Sequence, residues 1–239
     1  PKLSCPIKWK TRDLTVVLFG NSSAVHFGDE NILLGKAPTG NADFSQTVPE
    51  PRKISGHSLS VINILDLQEN ELYLDSVDQT IDRLVRENEI YTFIFVLQLG
   101  QLTDSDKGGI EWLQKLFGEA VLPFTMILFT YEREEDNDKV IDELKKNPLL
   151  EQLVEKCGDR YYTCSKSMNN QSEMKKLLEK IELMVSENSK RCYTTEMFNT
   201  ASDFRKSLQN THSQSGKSKL LWPFFQCKLC SYYRKKSKD

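Results

Sequence analysis

Four apolar runs, at residues 14–19, 59–65, 91–97 and 122–130, with a short fifth strand candidate at 160–164, constrain this chain more than any other feature. Leu14-Thr15-Val16-Val17-Leu18-Phe19 and Tyr91-Thr92-Phe93-Ile94-Phe95-Val96-Leu97 are apolar at successive positions rather than alternate ones. A strand written that way is covered on both faces, which is the environment of a parallel sheet between helices. The runs alternate with helical patterns expected over 29–35, 74–89, 104–118, 136–146, 148–157 and 170–188. In the last of these, Met174, Leu177, Leu178, Ile181 and Val185 form a single core-facing stripe. Residues 50–56 can supply an edge strand, Asp104 and Gly118 can start and stop the third helix, and 190–215 reads as a polar stretch without clear order. The expectation is an α/β fold with a mostly parallel six-stranded sheet and helices on both faces.

Charge divides the chain. Its net charge is −2, yet residues 216–239 hold seven Lys/Arg against one acid, leaving −8 on the remainder. An acidic main domain argues against nucleic acid as a partner. No apolar run is long enough to span a bilayer and no N-terminal apolar segment marks secretion. The six cysteines are scattered, which does not suggest a disulfide framework. These features lead to the expectation of a soluble cytoplasmic protein.

The turn after the first strand reads Gly20-Asn21-Ser22-Ser23-Ala24-Val25-His26-Phe27-Gly28. That is where a nucleotide-binding α/β protein carries its phosphate loop. Such a loop ends in Gly-Lys-[Ser/Thr]: backbone N–H groups cradle phosphate, the Lys reaches the outer phosphates and the hydroxyl holds Mg²⁺. Here Val25, His26 and Phe27 stand in those places. A Cβ at Val25 crowds the backbone approach, imidazole is shorter than a lysine chain and carries no fixed charge, and Phe27 has no metal ligand.

Further along, Val96-Leu97-Gln98-Leu99-Gly100-Gln101-Leu102-Thr103-Asp104, Leu116-Phe117-Gly118-Glu119 with Met126-Ile127-Leu128-Phe129-Thr130, Glu155-Lys156-Cys157-Gly158-Asp159-Arg160, and Met184-Val185-Ser186-Glu187-Asn188 with Tyr193-Thr194-Thr195-Glu196-Met197 resemble the immunity-associated GTPases, called GIMAP or IAN. Ile32-Leu33-Leu34-Gly35-Lys36 is similar to the end of that family's first helix. The resemblance implies a Ras-like P-loop G domain over residues 12–198, preceded by an extension at 1–11 and followed by a polar linker and basic, aromatic, Cys-containing tail over 199–239. It also implies GTP or GDP with Mg²⁺ as ligands, and homo- or hetero-oligomers formed through G-domain faces, often near membranes.

At the positions that match the family's guanine motifs the chain departs repeatedly. Pro49 stands where a Thr would meet Mg²⁺, with Thr47 nearby as a substitute. The third motif reads Asn63-Ile64-Leu65-Asp66. Asn63 is a weaker partner for a hydrated metal than a carboxylate, and the charge of Asp66 against a γ-phosphate costs on the order of 4 kcal/mol at ~4 Å and an effective dielectric of ~20. The base-reading motif resembles Thr130-Tyr131-Glu132-Arg133, with Arg133 where a carboxylate should accept from guanine; Glu134 or Asp136 can supply one after a small loop shift. Tyr162-Thr163-Cys164-Ser165-Lys166 matches the fifth motif, with Ser165 at its base-contacting place. No catalytic residue is identified and no metal site is expected from His26, His57 and His212, which are far apart. The two functional readings are an interaction module with nucleotide binding weak or lost, and a slow GTPase.

The tail is a separate case. Trp222, Phe224 and Phe225 lie among lysines, with Cys227 and Cys230 as possible acylation sites. Apolar side chains at the headgroup boundary and cations on anionic lipid are the two components of a peripheral membrane anchor, so a membrane-tethered scaffold is a third reading. A disordered end, a lone zinc or redox Cys pair and an RNA-binding patch are the alternatives.

Overall fold

The computed structural model describes residues 14–21, 24, 26–27, 30–31, 33, 35–36, 52–54, 57–65, 74–100, 104–132, 142, 146–165, 171–189 and 191–214. The chain divides into two compact units, Pro1–Ser202 and Asp203–Asp239.

The first unit is built on a six-stranded sheet. Its strands are β1 (Leu14–Gly20), β5 (Arg52–Ile54), β6 (His57–Leu65), β7 (Ile90–Gln98), β8 (Thr125–Tyr131) and β9 (Tyr161–Ser165), in the order β5-β6-β1-β7-β8-β9. All neighbours are parallel except β5, a short antiparallel edge on β6. The fold is thus the α/β G-domain architecture expected, with the edge strand inside the span read for it. Every residue of β7 and β8 is buried, which accounts for their largely apolar sequences.

Helices cover both faces. On one, α4 (Gln171–Glu187) lays Met174, Leu177, Leu178, Ile181 and Val185 into a core with Val16, Leu18, Ile94, Val96, Met126 and Leu128. On the other, α2 (Asp104–Phe117) approaches so closely that a Cβ on Gly109 would overlap the Phe95 ring. There Trp112 stacks on Phe19, ring centroids 5.3 Å apart. Helix α2 stops at Gly118, whose φ of +74° suits glycine. Helix α1 (Leu74–Glu87) carries an Asp82–Arg86 pair at 2.7 Å, one turn apart. Helix α3 (Pro148–Lys156) is started by Asn147, which accepts from the Leu149 N–H, with Pro148 at the first helical position.

Three expectations need adjustment, and a fourth is described only in part. The strand expected from 122 begins at Thr125, because Glu119–Phe124, containing Pro123, forms a 3₁₀ helix. Among the described residues of 29–35 none is helical. Instead β2 (His26–Phe27), β3 (Glu30–Asn31) and β4 (Gly35–Lys36) form a small antiparallel sheet, with a turn at Leu33. Seven residues ending in glycine give too few turns for a helix nucleus to propagate. Of the helix expected over 136–146 only Asp142 and Lys146 are described; both are helical and bonded to each other at 3.1 Å. The polar stretch 190–215 contains α5 (Thr195–Gln214), which runs across the 198/199 boundary read from sequence.

Candidate nucleotide-binding face

The chain passes from β1 to β6 on one side of the sheet and then crosses to β7 on the other. The carboxyl ends of β1 and β7 therefore flank a topological switch point, the place where open α/β sheets in general bind their ligands. The register brings Gly20 beside Val96 and Leu65, Gln98 beside Thr130, and Tyr131 beside Ser165. Four of the five motif positions read from sequence have residues at or near this edge.

Gly20 is required by its surroundings. Its φ is +137°, and a Cβ would sit 2.6 Å from the Val96 carbonyl oxygen. Asn21 follows, and its carbonyl accepts from the Ala24 N–H at 3.0 Å in a helical turn. By His26 that turn has given way to extended backbone, with His26 opposite Asn31 and Phe27 opposite Glu30. Ser22, Ser23 and Val25 lie outside the described residues.

Thr130 is buried at the end of β8. Its hydroxyl lies 3.3 Å from the Ala24 carbonyl and 3.4 Å from that of Leu97, donating to this pair, while its own carbonyl accepts from the Leu99 N–H at 3.0 Å. The residue therefore braces the loop after β1 against the ends of β7 and β8. Gln98, also buried, donates from Nε2 to Oε1 of exposed Glu132 at 3.2 Å. A chain reversal at Gly100, φ +78°, follows. Sequence reasoning misses both the bracing role of Thr130 and the Gln98–Glu132 bond. The available signal is a polar residue near the carboxyl end of each of two largely apolar strands.

Asn63 lies within β6 opposite Leu18, two residues before the strand ends at Leu65. Ser165 is buried at the end of β9. Thr47, Pro49, Asp66, Arg133, Glu134, Asp136 and the tail with Cys227 and Cys230 lie outside the described residues. Among the described residues no cluster of His, Cys, Asp and Glu could hold a metal ion. Burial pushes the Cys157 thiol up to about 12 and raises that of Cys164, so neither is a ready nucleophile.

A profile of the AIG1 family matches residues 30–212. GTPase IMAP family member 8 of Homo sapiens is 29% identical over 197 residues, covering 78% of this chain and 29% of that protein. Immune-associated nucleotide-binding protein 9 of Arabidopsis thaliana is 22% identical over 200 residues, covering 77% and 58%. The chain thus spans less than a third of the first relative and under two thirds of the second. Among solved structures, Toc33 from Arabidopsis thaliana in complex with GDP and Mg²⁺ superposes with a TM-score of 0.52 at 17% identity, covering 77% of this chain and 88% of that one. A dimerization-deficient Toc33 mutant gives 0.53 at 15%, covering 76% and 87%. With the sheet order, the glycine that ends β1 and the matched span in agreement, this chain belongs to the AIG1 family, that of the GTPase IMAP and immune-associated nucleotide-binding proteins.

Proposed function

We propose that this G domain is an interaction module: nucleotide binding is weak or lost, GTP is not hydrolysed, and the chain acts by assembling with itself or with related G domains. The observation that carries the reading is the backbone after β1. Phosphate binding needs successive N–H groups at the start of a continuing helix. Here the helical turn at Ala24 yields to the β2 pairing at His26 and Phe27. The residues there offer neither the lysine nor the hydroxyl of a magnesium–triphosphate site, so the chain does not fit that group. Phosphoryl transfer depends almost wholly on such positioning and charge. The cytoplasmic location is part of the same proposal. Support for assembly is coarser: Toc33, one of the structural neighbours, is a protein for whose GTPase activity dimerization is important.

Titration with GTP, GDP and Mg²⁺ by calorimetry tests the reading. Affinity no better than about millimolar is expected, near −4 kcal/mol. Nucleotide that co-purifies with the protein overturns it. The rival reading, a slow GTPase, draws on the intact frame around Gly20, Val96 and Thr130. Single-turnover hydrolysis abolished by substitution within residues 20–28 would establish that rival.

A further inference from the structure

Strand β9 forms one edge of the sheet, and its register fixes which backbone groups face outward. The Ile127 N–H donates to the Arg160 carbonyl at 2.9 Å, and Ile127 lies opposite Tyr161. In a parallel ladder successive residues turn their N–H and C=O to alternate sides. Arg160, Tyr162 and Cys164 therefore bond to β8, while Tyr161 and Thr163 direct both backbone groups away from the sheet. Among the described residues no strand pairs with that side.

Sheet edges are usually guarded by lysine, proline, a bulge or a covering element. Tyr161-Tyr162-Thr163-Cys164-Ser165 contains no charge and no proline. The cation just before it is turned away: Arg160 donates from Nε to the Thr125 carbonyl at 3.0 Å and from Nη2 to the Leu122 carbonyl at 2.7 Å. Tyr161 is 41% exposed, with its ring edge-on to Phe129.

We infer that β9 is a dimerisation edge, paired antiparallel with β9 of a second copy about a two-fold axis at Tyr162. The residue pattern selects this occupant. With the axis at Tyr162, Tyr161 and the second copy's Thr163 exchange N–H and C=O, and the reciprocal pair does the same. An aromatic residue then faces a β-branched one on each side of the axis, a favourable cross-strand combination. The flanking charges avoid their own kind: Arg160 falls opposite the second copy's Cys164, and Asp159 opposite its Ser165. A charged peptide strand finds no complementary charge along this edge. The two-fold also closes the assembly, since each copy uses its edge once. The surface lies on the sheet edge rather than on the strand-end face, so pairing requires no nucleotide. The inference adds a specific surface to the assembly reading and can fail without it.

Sedimentation velocity of the full chain over a concentration series tests the edge. A reversible dimer is expected. Thr163→Pro removes an outward N–H and no bond to β8, so it should weaken the dimer about tenfold or more. Tyr161→Lys with Thr163→Lys sets lysines opposite each other and should give monomer. Mixing that variant with Tyr161→Glu/Thr163→Glu should restore a mixed dimer, a result that misfolded variants cannot give. A wild-type chain that stays monomeric across the series overturns the inference, as does failure of the mixture to pair. A dimer unaffected by these variants overturns only the edge and leaves assembly through another surface standing.

Discussion

The hydroxyl of Tyr193 donates to the Phe117 carbonyl oxygen at 2.5 Å. That carbonyl belongs to the last residue of α2, where the helix leaves acceptors without intrahelical donors. The Tyr193 N–H donates at the same time to the Ile90 carbonyl at the start of β7, at 2.8 Å. Its ring meets Phe93, Phe117 and Phe124 edge-on, at centroid distances of 5.4, 5.7 and 6.1 Å. One side chain thus fastens the segment before α5 to both a helix end and a strand start. Tyr193→Phe should cost about 1–2 kcal/mol through the unsatisfied carbonyl, and Tyr193→Ala about 3–5 kcal/mol through the cavity as well. Urea denaturation monitored by circular dichroism measures both; a Phe variant as stable as the parent would show that the hydroxyl bond contributes nothing net.

Gly20→Ala should be destabilising by about 2 kcal/mol or more, since it combines an unfavourable φ with contact against a backbone carbonyl that cannot swing aside. The control is Gly108→Ala, where an added Cβ meets no atom within 4 Å and the helix gains in propensity. The first should lower the urea midpoint and the second raise it. Loss of stability in both would point to a general intolerance of α2 and β1 rather than to the Gly20–Val96 contact.

Much of this fold is legible because buried parallel strands write themselves as apolar runs. β1, β6, β7 and β9 fall close to where those runs lie, and the stripe on α4 is the stripe in the core. Other elements leave weaker traces. β2, β3 and β4 have two residues each, too few for any period to register. In the first unit α5 buries Phe198, Ala201 and Ser202, among residues mostly polar, so its sequence resembles a linker. The start of β8 is hidden because Leu122, Pro123 and Phe124 are as apolar as the strand they precede. At the candidate site, the motif positions are legible as departures from a pattern, but the brace from Thr130 to Ala24 joins residues far apart in sequence that only the sheet register brings together.

Alkaline pH should unfold this protein earlier than its exposed surface suggests. Burial raises Cys157 to about 12 from an ordinary value near 9, and burial followed by the nearby Glu173 charge raises Tyr162 to about 12 from 10. Both groups hold their protons more tightly folded than unfolded. Their contribution is therefore complete below about pH 9 and is lost as pH climbs toward 12. Cys157, titrating only in the unfolded chain over that range, lowers stability by roughly 1.4 kcal/mol per pH unit. Tyr162 is only half-buried and solvent screens its surroundings, so its share is smaller. Cys157→Ala should flatten the fall in melting temperature between pH 9 and about 11, despite a lower starting value. A slope identical to that of the parent would remove Cys157 from the account.

Truncation after Gln214 should leave the G domain folded, whereas truncation at 188 should not. The apolar stripe of α4 ends near Glu187, but Tyr193, Phe198 and Ala201 beyond it are buried. Removing them strips the aromatic cluster around Phe117 and exposes the face it covers. The full chain and its 1–214 fragment should therefore melt within about a degree of each other, because nothing buried in the first unit is lost. They should differ on membranes. Residues 216–239 combine a net +6 with Trp222, Phe224 and Phe225, the electrostatic and apolar contributions that peripheral binding requires. Co-sedimentation with phosphatidylserine vesicles at low salt should retain the full chain and release the fragment. Added salt should weaken the retention, since exposed charges are screened over about 8 Å at physiological ionic strength. Cys227→Ser with Cys230→Ser should matter more in cells than on bare vesicles, where no acyl group is added. Equal partitioning of the two chains onto the vesicles would show that the basic, aromatic tail is not a lipid anchor.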